Sequence, residues 1–350
     1  MGKHMRKRVV SLGGGTGQPQ VIQALRMLNY AISAVVAMAD DGGSTGVLRR
    51  EMGIVPPGDI RNCLVALAAD PTAPLARSFQ RRLSGHALGN LILAVLNEEA
   101  GSFSEAVAIC ERMLGCVGSV FPSTEEFIEL RGITRDGRTI AGEDMIGHGP
   151  CTLSRVWLEP SAPQAFPRAV EAILQADLVV MGPGSLFTSI LPNVLVPGIA
   201  GAIKATHATR VFVCPKADTQ YETWGLAADE YVEALFDHGL DGCVDAVLVH
   251  REPPEGGVVT RAFRALTAQD LAAGAARRAF EAARRSPHSE DVLKHIHAVR
   301  AHDDVLEHLR SMVPVVVTRD FSLEGAPTAH DPVKLAQAIQ GVSECRSQLR

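Results

Sequence analysis

The chain repeats one arrangement: an apolar run, a glycine-rich turn, then a segment whose apolar residues recur every three or four positions. Arg8–Leu12 is the first run, followed by Gly13, Gly14, Gly15, Thr16 and Gly17. Val21, Ile22, Leu25 and Leu28 then fall at helical spacing, with Pro19 suited to a first helical turn, where its missing N–H costs nothing. Ala31–Ala39 reads as a second strand, ended by Asp40, Asp41, Gly42 and Gly43. Asp177–Met181 reads as a third, running into Gly182, Pro183, Gly184 and Ser185. Thr209–Cys214, Val244–His250 and Val313–Thr318 read as three more. Runs that are apolar at nearly every position belong to strands covered on both faces. The pattern therefore predicts an α/β fold with a doubly wound, mostly parallel sheet. In such sheets ligands collect beyond the carboxyl ends of the strands, and the glycine-rich segments lie at that end.

Two stretches break the rhythm. Residues 118–159 carry Thr and Val runs around Asp136-Gly137 and read as a small β-rich insert. Residues 251–310 begin with Pro253, Pro254, Gly256 and Gly257, then turn rich in Ala, Arg and His, and read as a variable, peripheral helical segment. The expected organisation is a core over 7–250, that segment, and a C-terminal strand and helix over 311–342 that complete the same domain.

Composition narrows the class. At 350 residues, with 46% apolar and 21% charged, the chain is long enough for a large core and is not disordered. A net charge of −5 argues against a general nucleic-acid binder. The N-terminus lacks the apolar stretch of a secretory signal, and no run approaches the ~20 apolar residues of a membrane span. The seven cysteines are scattered and form no C-x-x-C pair, as expected of buried small side chains in a reducing compartment. The expectation is a cytoplasmic protein that meets neither membrane nor nucleic acid.

Five segments carry candidate chemistry. After the first strand, Gly14, Gly15, Thr16 and Gly17 let backbone N–H groups converge on an anion at a helix start. Position 18 is Gln and no G-K-[ST] follows, so neither standard nucleotide fingerprint is met. Next come Asp40, Asp41, Gly42, Gly43 and Ser44. Asp40 stands ~20 residues past the glycine loop, where a ribose-binding carboxylate sits in a dinucleotide fold. Asp40 and Asp41 are also the one candidate pair for a metal, magnesium, which favours oxygen ligands; no cofactor is otherwise implied. The third segment presents Asp59, Arg61 and Asn62 within four residues, a fork for phosphate or carboxylate or else a structural ion pair with a helix cap. In the fourth, His86 and Asn90 stand four apart, on one face if helical. The fifth runs from Gly182 and Gly184 through Ser185 and Thr188 to Asn193, a turn and helix start rich in N–H and O–H donors. Ser185 is not in a G-x-S-x-G elbow, so no hydrolase nucleophile is expected. His288, His295, His297, His302 and His308 crowd one region without zinc spacing, and Arg277, Arg278, Arg284 and Arg285 read as a solvated helix face.

In order, these segments resemble the YvcK-type gluconeogenesis factors within the CofD-like group. The matching stretches are GGGTG at Gly13–Gly17, ADDGGSTG at Ala39–Gly46, PPGDIRNCLVALA at Pro56–Ala68 and GHALGN at Gly85–Asn90. They continue as GPGSLFTSILPN at Gly182–Asn193 and HDPVKLAQAI at His330–Ile339. The resemblance implies a Rossmann-like fold and a cytoplasmic, nucleotide-sugar-binding regulator that takes UDP-N-acetylglucosamine or UDP-glucose. Such a regulator links carbon metabolism to cell shape and cell-wall synthesis. It is non-catalytic or weakly catalytic, and a homo-oligomer is compatible with it. The family's Thr-Gln-Pro-Gly-Glu-Thr run reads here as Thr219-Gln220-Tyr221-Glu222-Thr223, which adds Thr219 and Gln220 to the expected site. The family's Arg-His-Asp-Pro reads as Ala329-His330-Asp331-Pro332, without the Arg. The alternative implied by the wider group is a magnesium-dependent transferase, moving a phospholactyl group from a nucleotide-activated donor to a deazaflavin alcohol. A nicotinamide-linked dehydrogenase fits only the strand–glycine–helix start and the later Asp40.

Overall fold

The computed structural model describes residues 6–147, 151–219, 221–251 and 297–345. Seven strands form one sheet: β1 (Arg8–Gly13), β2 (Ala31–Val36), β3 (Ser119–Pro122), β4 (Leu178–Met181), β5 (Thr209–Val213), β6 (Ala246–His250) and β7 (Val315–Arg319). Every pairing is parallel, and the spatial order is β7-β6-β5-β4-β1-β2-β3. This is a Rossmann-like α/β sheet. The chain winds outward from β1 to β3, crosses back, and winds the other way from β4, so the order reverses between β1 and β4. The interior strands are buried nearly throughout, as in Val9, Val10 and Leu12 of β1 and all of Leu178–Met181. That burial explains their unbroken apolar runs.

Helix α1 (Gly17–Met27) follows β1 and buries Val21, Ile22, Ala24 and Leu25, a stripe at helical spacing. Gln18, where a dinucleotide fingerprint would not place it, is buried too. Its Nε2 donates to Ser11 O of β1 at 3.0 Å and to Val35 O of β2 at 2.9 Å. Three more helices border the site: α2 (Gly43–Met52), α3 (Gly58–Leu67) and α4 (Leu88–Ala100). The C-terminal helix Pro332–Cys345 packs on α1, and Lys7 Nζ donates to Ser343 Oγ at 2.7 Å.

The region expected as a β insert divides. Ser119–Pro122 belongs to the main sheet, paired with β2. The insert proper is a three-stranded antiparallel sheet of Glu129–Thr134, Thr139–Ala141 and Leu153–Glu159, with the short helical turn Glu143–Ile146. Strand β2 ends at Val36, not Ala39, which leaves Ala37–Asp41 as the loop approaching the site. Most of the expected helical segment, 252–296, lies outside the described residues, as do His288, His295 and the Arg277–Arg285 run. Of the remainder, Asp303–Met312 is a helix. No single helix among the described residues is long and apolar enough to cross a membrane.

Candidate functional site

A cavity of about 340 Å³ opens where the carboxyl ends of β1, β2 and β4 meet, at the reversal of strand order. From the sequence-derived set it is lined by Gly15, Asp40, Gly42, Gly43, Ser44, Asp59, Arg61, Asn62, Asn90 and Thr188. Segments separated by more than 170 residues thus share one cleft.

Each glycine-rich turn reaches the cleft in its own way. Gly15 has φ +61°, a left-handed conformation that disfavours a Cβ, and its N–H donates to Asp59 Oδ2 at 2.6 Å. A Cβ on Gly14 would come within 2.9 Å of that oxygen. Thr16 caps α1 without a side-chain bond. Gly17 lets the β1 turn meet the β4 turn, since a Cβ there would overlap the Pro183 carbonyl oxygen. Asp59, Arg61 and Asn62 occupy the first turn of α3. Arg61 is buried, and Gly89 makes room for it: a Cβ on Gly89 would lie 2.7 Å from Arg61 Cγ.

His86 and Asn90 do not share a helix. His86 sits on the two-residue strand His86–Ala87 and Asn90 in α4, yet both reach Ser44. Ser44 Oγ lies 3.0 Å from His86 Nδ1, and Asn90 Nδ2 donates to Ser44 Oγ at 3.3 Å.

Some of the amides of these turns are engaged by carboxylates of the chain itself. Besides Gly15 on Asp59, Gly42 N donates to Asp40 Oδ1 at 3.0 Å. Phe187 N and Thr188 N, just past Gly182, Gly184 and Ser185, donate to Glu222 Oε1 at 2.8 and 3.1 Å. Glu222 is fully buried, and burial pushes its carboxyl up to about 7 against those hydrogen bonds. Asp41 accepts Glu143 N at 3.2 Å and Asp144 N at 2.8 Å. It therefore clamps the insert over the cleft, and Asp40 is partnered in the cavity lining by Asp59 instead. Asn193 is wholly buried, its Nδ2 donating to Gly13 O and Ser189 O, both at 2.9 Å. It ties the β1 turn to the helix after β4. Thr219 N donates to Thr223 Oγ1 at 2.9 Å, and Gln220 lies outside the described residues.

Sequence reasoning missed several lining residues. Thr45, Gly58 and Ser189 stood inside recognised motifs, and Arg82 stands just before Gly85–Asn90. Glu143 and Asp144 gave no signal, because only docking of the insert brings them in. Asp40, Asp59, Glu143 and Asp144 face Arg61 and Arg82, so the cleft is crowded with negative charge. Burial, then the Asp59 charge, raises Asp40 to about 6. Burial, then Asp40 and Asp59, holds Glu143 well above the usual carboxylate range. Among the described residues, no three His, Cys, Asp or Glu are grouped so as to hold a metal ion by themselves.

Farther along the same sheet end, His250 closes β6 and His330 lies on the strand Ala326–His330. Phe321 N donates to His250 Nδ1 at 3.0 Å, and Lys216 Nζ donates to Ala329 O at 2.9 Å. Burial, then the nearby Lys216 charge, lowers His250 to about 4 and His330 to about 3.

The family model described as 2-phospho-L-lactate transferase CofD matches residues 9–286. The chain belongs to the CofD family. Within it, the chain is similar to the "Gluconeogenesis factor" of Halalkalibacterium halodurans, 42% identical over 255 residues that cover 71% of this chain and 79% of that protein. The "Gluconeogenesis factor" of Bacillus subtilis is 39% identical over 254 residues, covering 71% and 80%. A crystal structure of a UPF0052-family protein from Bacillus halodurans superposes with a TM-score of 0.81 at 35% identity, covering 96% of this chain and 99% of that one. The CofD-family match spans every segment of the cleft, from the β1 turn to Ser189 and on to Glu222.

Proposed function

We propose that this CofD-family chain is a cytoplasmic regulator of the gluconeogenesis-factor type. It binds a nucleotide sugar, UDP-N-acetylglucosamine or UDP-glucose, and links carbon metabolism to cell shape and cell-wall synthesis. One observation carries the reading: a cavity at the reversal of strand order, the place where α/β sheets of this kind take nucleotides. Arg61 and Arg82 supply fixed positive charge; Ser44, Asn62, Asn90, Thr188 and Ser189 supply neutral donors.

The ligand's phosphates meet four carboxylates there, so the charge balance favours a cation accompanying them. Magnesium is bound by one or two carboxylates together with substrate phosphates, so it needs no three-residue cage. Asp40 and Asp59 offer the hard oxygen donors it takes, and their mutual repulsion is what a cation relieves. When bound there, magnesium would neutralise the charge of the pair and of the ligand's phosphates.

Isothermal titration of the full chain against UDP-N-acetylglucosamine, UDP-glucose, GDP and NAD, with and without magnesium, tests the reading. Heat is expected with a UDP-sugar. Silence from both UDP-sugars at millimolar concentration rejects it. A second reading, a magnesium-dependent phospholactyl transferase, is favoured by the crowded carboxylates Asp40, Asp59 and Glu143. It predicts a new phosphodiester product by mass spectrometry from a guanine-nucleotide-activated donor and a deazaflavin alcohol.

A further inference from the structure

Four side chains from separate elements form a directional chain of hydrogen bonds beside the cleft. Arg61 Nη1 donates to Asn90 Oδ1 at 3.2 Å. A guanidinium offers only donors, so this contact fixes which way the Asn90 amide faces. Its Nδ2 therefore points to Ser44 Oγ, 3.3 Å away, and Ser44 Oγ lies 3.0 Å from His86 Nδ1.

A hydroxyl has one proton and two lone pairs. Asn90 occupies one lone pair of Ser44. If His86 Nδ1 carries no proton, Ser44 donates its proton there and offers the cleft only a lone pair, which repels an anionic oxygen. If Nδ1 carries a proton, it donates to the second lone pair of Ser44. The hydroxyl proton is then left to donate into the cavity that Ser44 lines.

We propose that His86 is a positioning residue that turns Ser44 Oγ into a hydrogen-bond donor for an anionic ligand oxygen, and that ligand binding selects the His86 form protonated on Nδ1. This rests on the reading of the cleft as a phosphorylated-ligand site. The neutral imidazole with its proton on Nδ1 supplies this donor as well as the doubly protonated ring does, so the pairing is set by which nitrogen carries the proton. Asp40, Asp59, Glu143 and Asp144, with Arg61 and Arg82, also line the cleft. Those groups are present in every variant, so the decisive quantity is the difference between wild type and variant.

The test is calorimetric titration of UDP-N-acetylglucosamine into the full chain and its variants under one set of conditions. His86→Ala, which leaves the Ser44 proton free to turn away from the cleft, should bind about 3- to 10-fold more weakly, the worth of one hydrogen bond. Ser44→Ala should lose the same factor, and the double variant should be no weaker than Ser44→Ala alone. Ser44→Thr, which keeps the hydroxyl, should restore wild-type behaviour, and melting curves confirm that each variant is folded. If His86→Ala binds as tightly as wild type, or if the double variant loses the product of the single losses, the pairing is overturned while the ligand site stands. If wild type itself gives no heat, the site reading falls and takes the pairing with it.

Discussion

Replacing Glu222 by Gln removes a buried charge while keeping an acceptor in place. Gln retains one carbonyl oxygen for the Phe187 and Thr188 amides, which both donate to Oε1. Its NH₂ group takes the place of Oε2, which lies 3.5 Å from the Thr188 hydroxyl, and that hydroxyl can turn to accept. Burial raises the Glu222 carboxyl from 4.5 to about 7. At about 1.4 kcal/mol per pH unit, ionising it in the folded protein costs about 3 kcal/mol once the pH exceeds 7. The sign follows from the raised value. The stability linked to the protonated form is fully present below pH 4.5 and is lost as pH rises through about 7. The Gln variant has no such loss. It should therefore exceed wild type by about 2–3 kcal/mol at pH 8, and the gap should close by about pH 5. Urea unfolding of both proteins at pH 5, 6, 7 and 8 measures the difference, in which the other titrating groups cancel. A gap that does not change with pH would refute the argument that Glu222 sits ionised at a cost.

Three further outcomes follow from the same geometry. His250 and His330 titrate well below the 6.5 of an unfolded imidazole, so each withdraws stability as pH falls from 6.5 towards 4. His330→Asn should flatten the acid limb of the stability curve by about 1.4 kcal/mol per pH unit, read by chemical denaturation. Gly17→Ala should destabilise by several kcal/mol because its Cβ overlaps the Pro183 carbonyl oxygen, whereas Gly184→Ala meets only ordinary contacts at 3.5 and 3.6 Å and should melt like wild type. Asn193→Ala removes the buried donor shared by Gly13 O and Ser189 O and should cost about 2–3 kcal/mol by equilibrium unfolding.

The central strands were legible because burial on both faces leaves an unbroken apolar run, as in Val9–Leu12 and Leu178–Met181. Strand β3 was not, because Ser119–Pro122 is four residues long, ends in Pro and is followed directly by turn-like sequence. The cleft was legible through its local motifs, where Gly, Asp, Ser and Asn stand close together in the chain. What answers those motifs from a distance was not. Nothing near Asp41 says that its partners are the amides of Glu143 and Asp144, and nothing near Ser185 says that Glu222 lies beneath it. Long-range partners of backbone amides leave no periodic trace, so the amides of Gly15, Phe187 and Thr188 read as open when carboxylates of the chain occupy them. The His86–Asn90 spacing misled for a related reason: the helix begins at Leu88, between them.

Asp41 grips the insert through the backbone N–H groups of Glu143 and Asp144, with Gly142 at φ +92° bringing that turn close. An attachment made to the main chain is indifferent to the side chains that it carries. The two hydrogen bonds to Asp41 can therefore persist when the side chains at these positions change. Rewriting residues 143 and 144 would thus alter the cavity wall while keeping those two bonds, and an engineer can retune the cleft from the insert while leaving the sheet untouched.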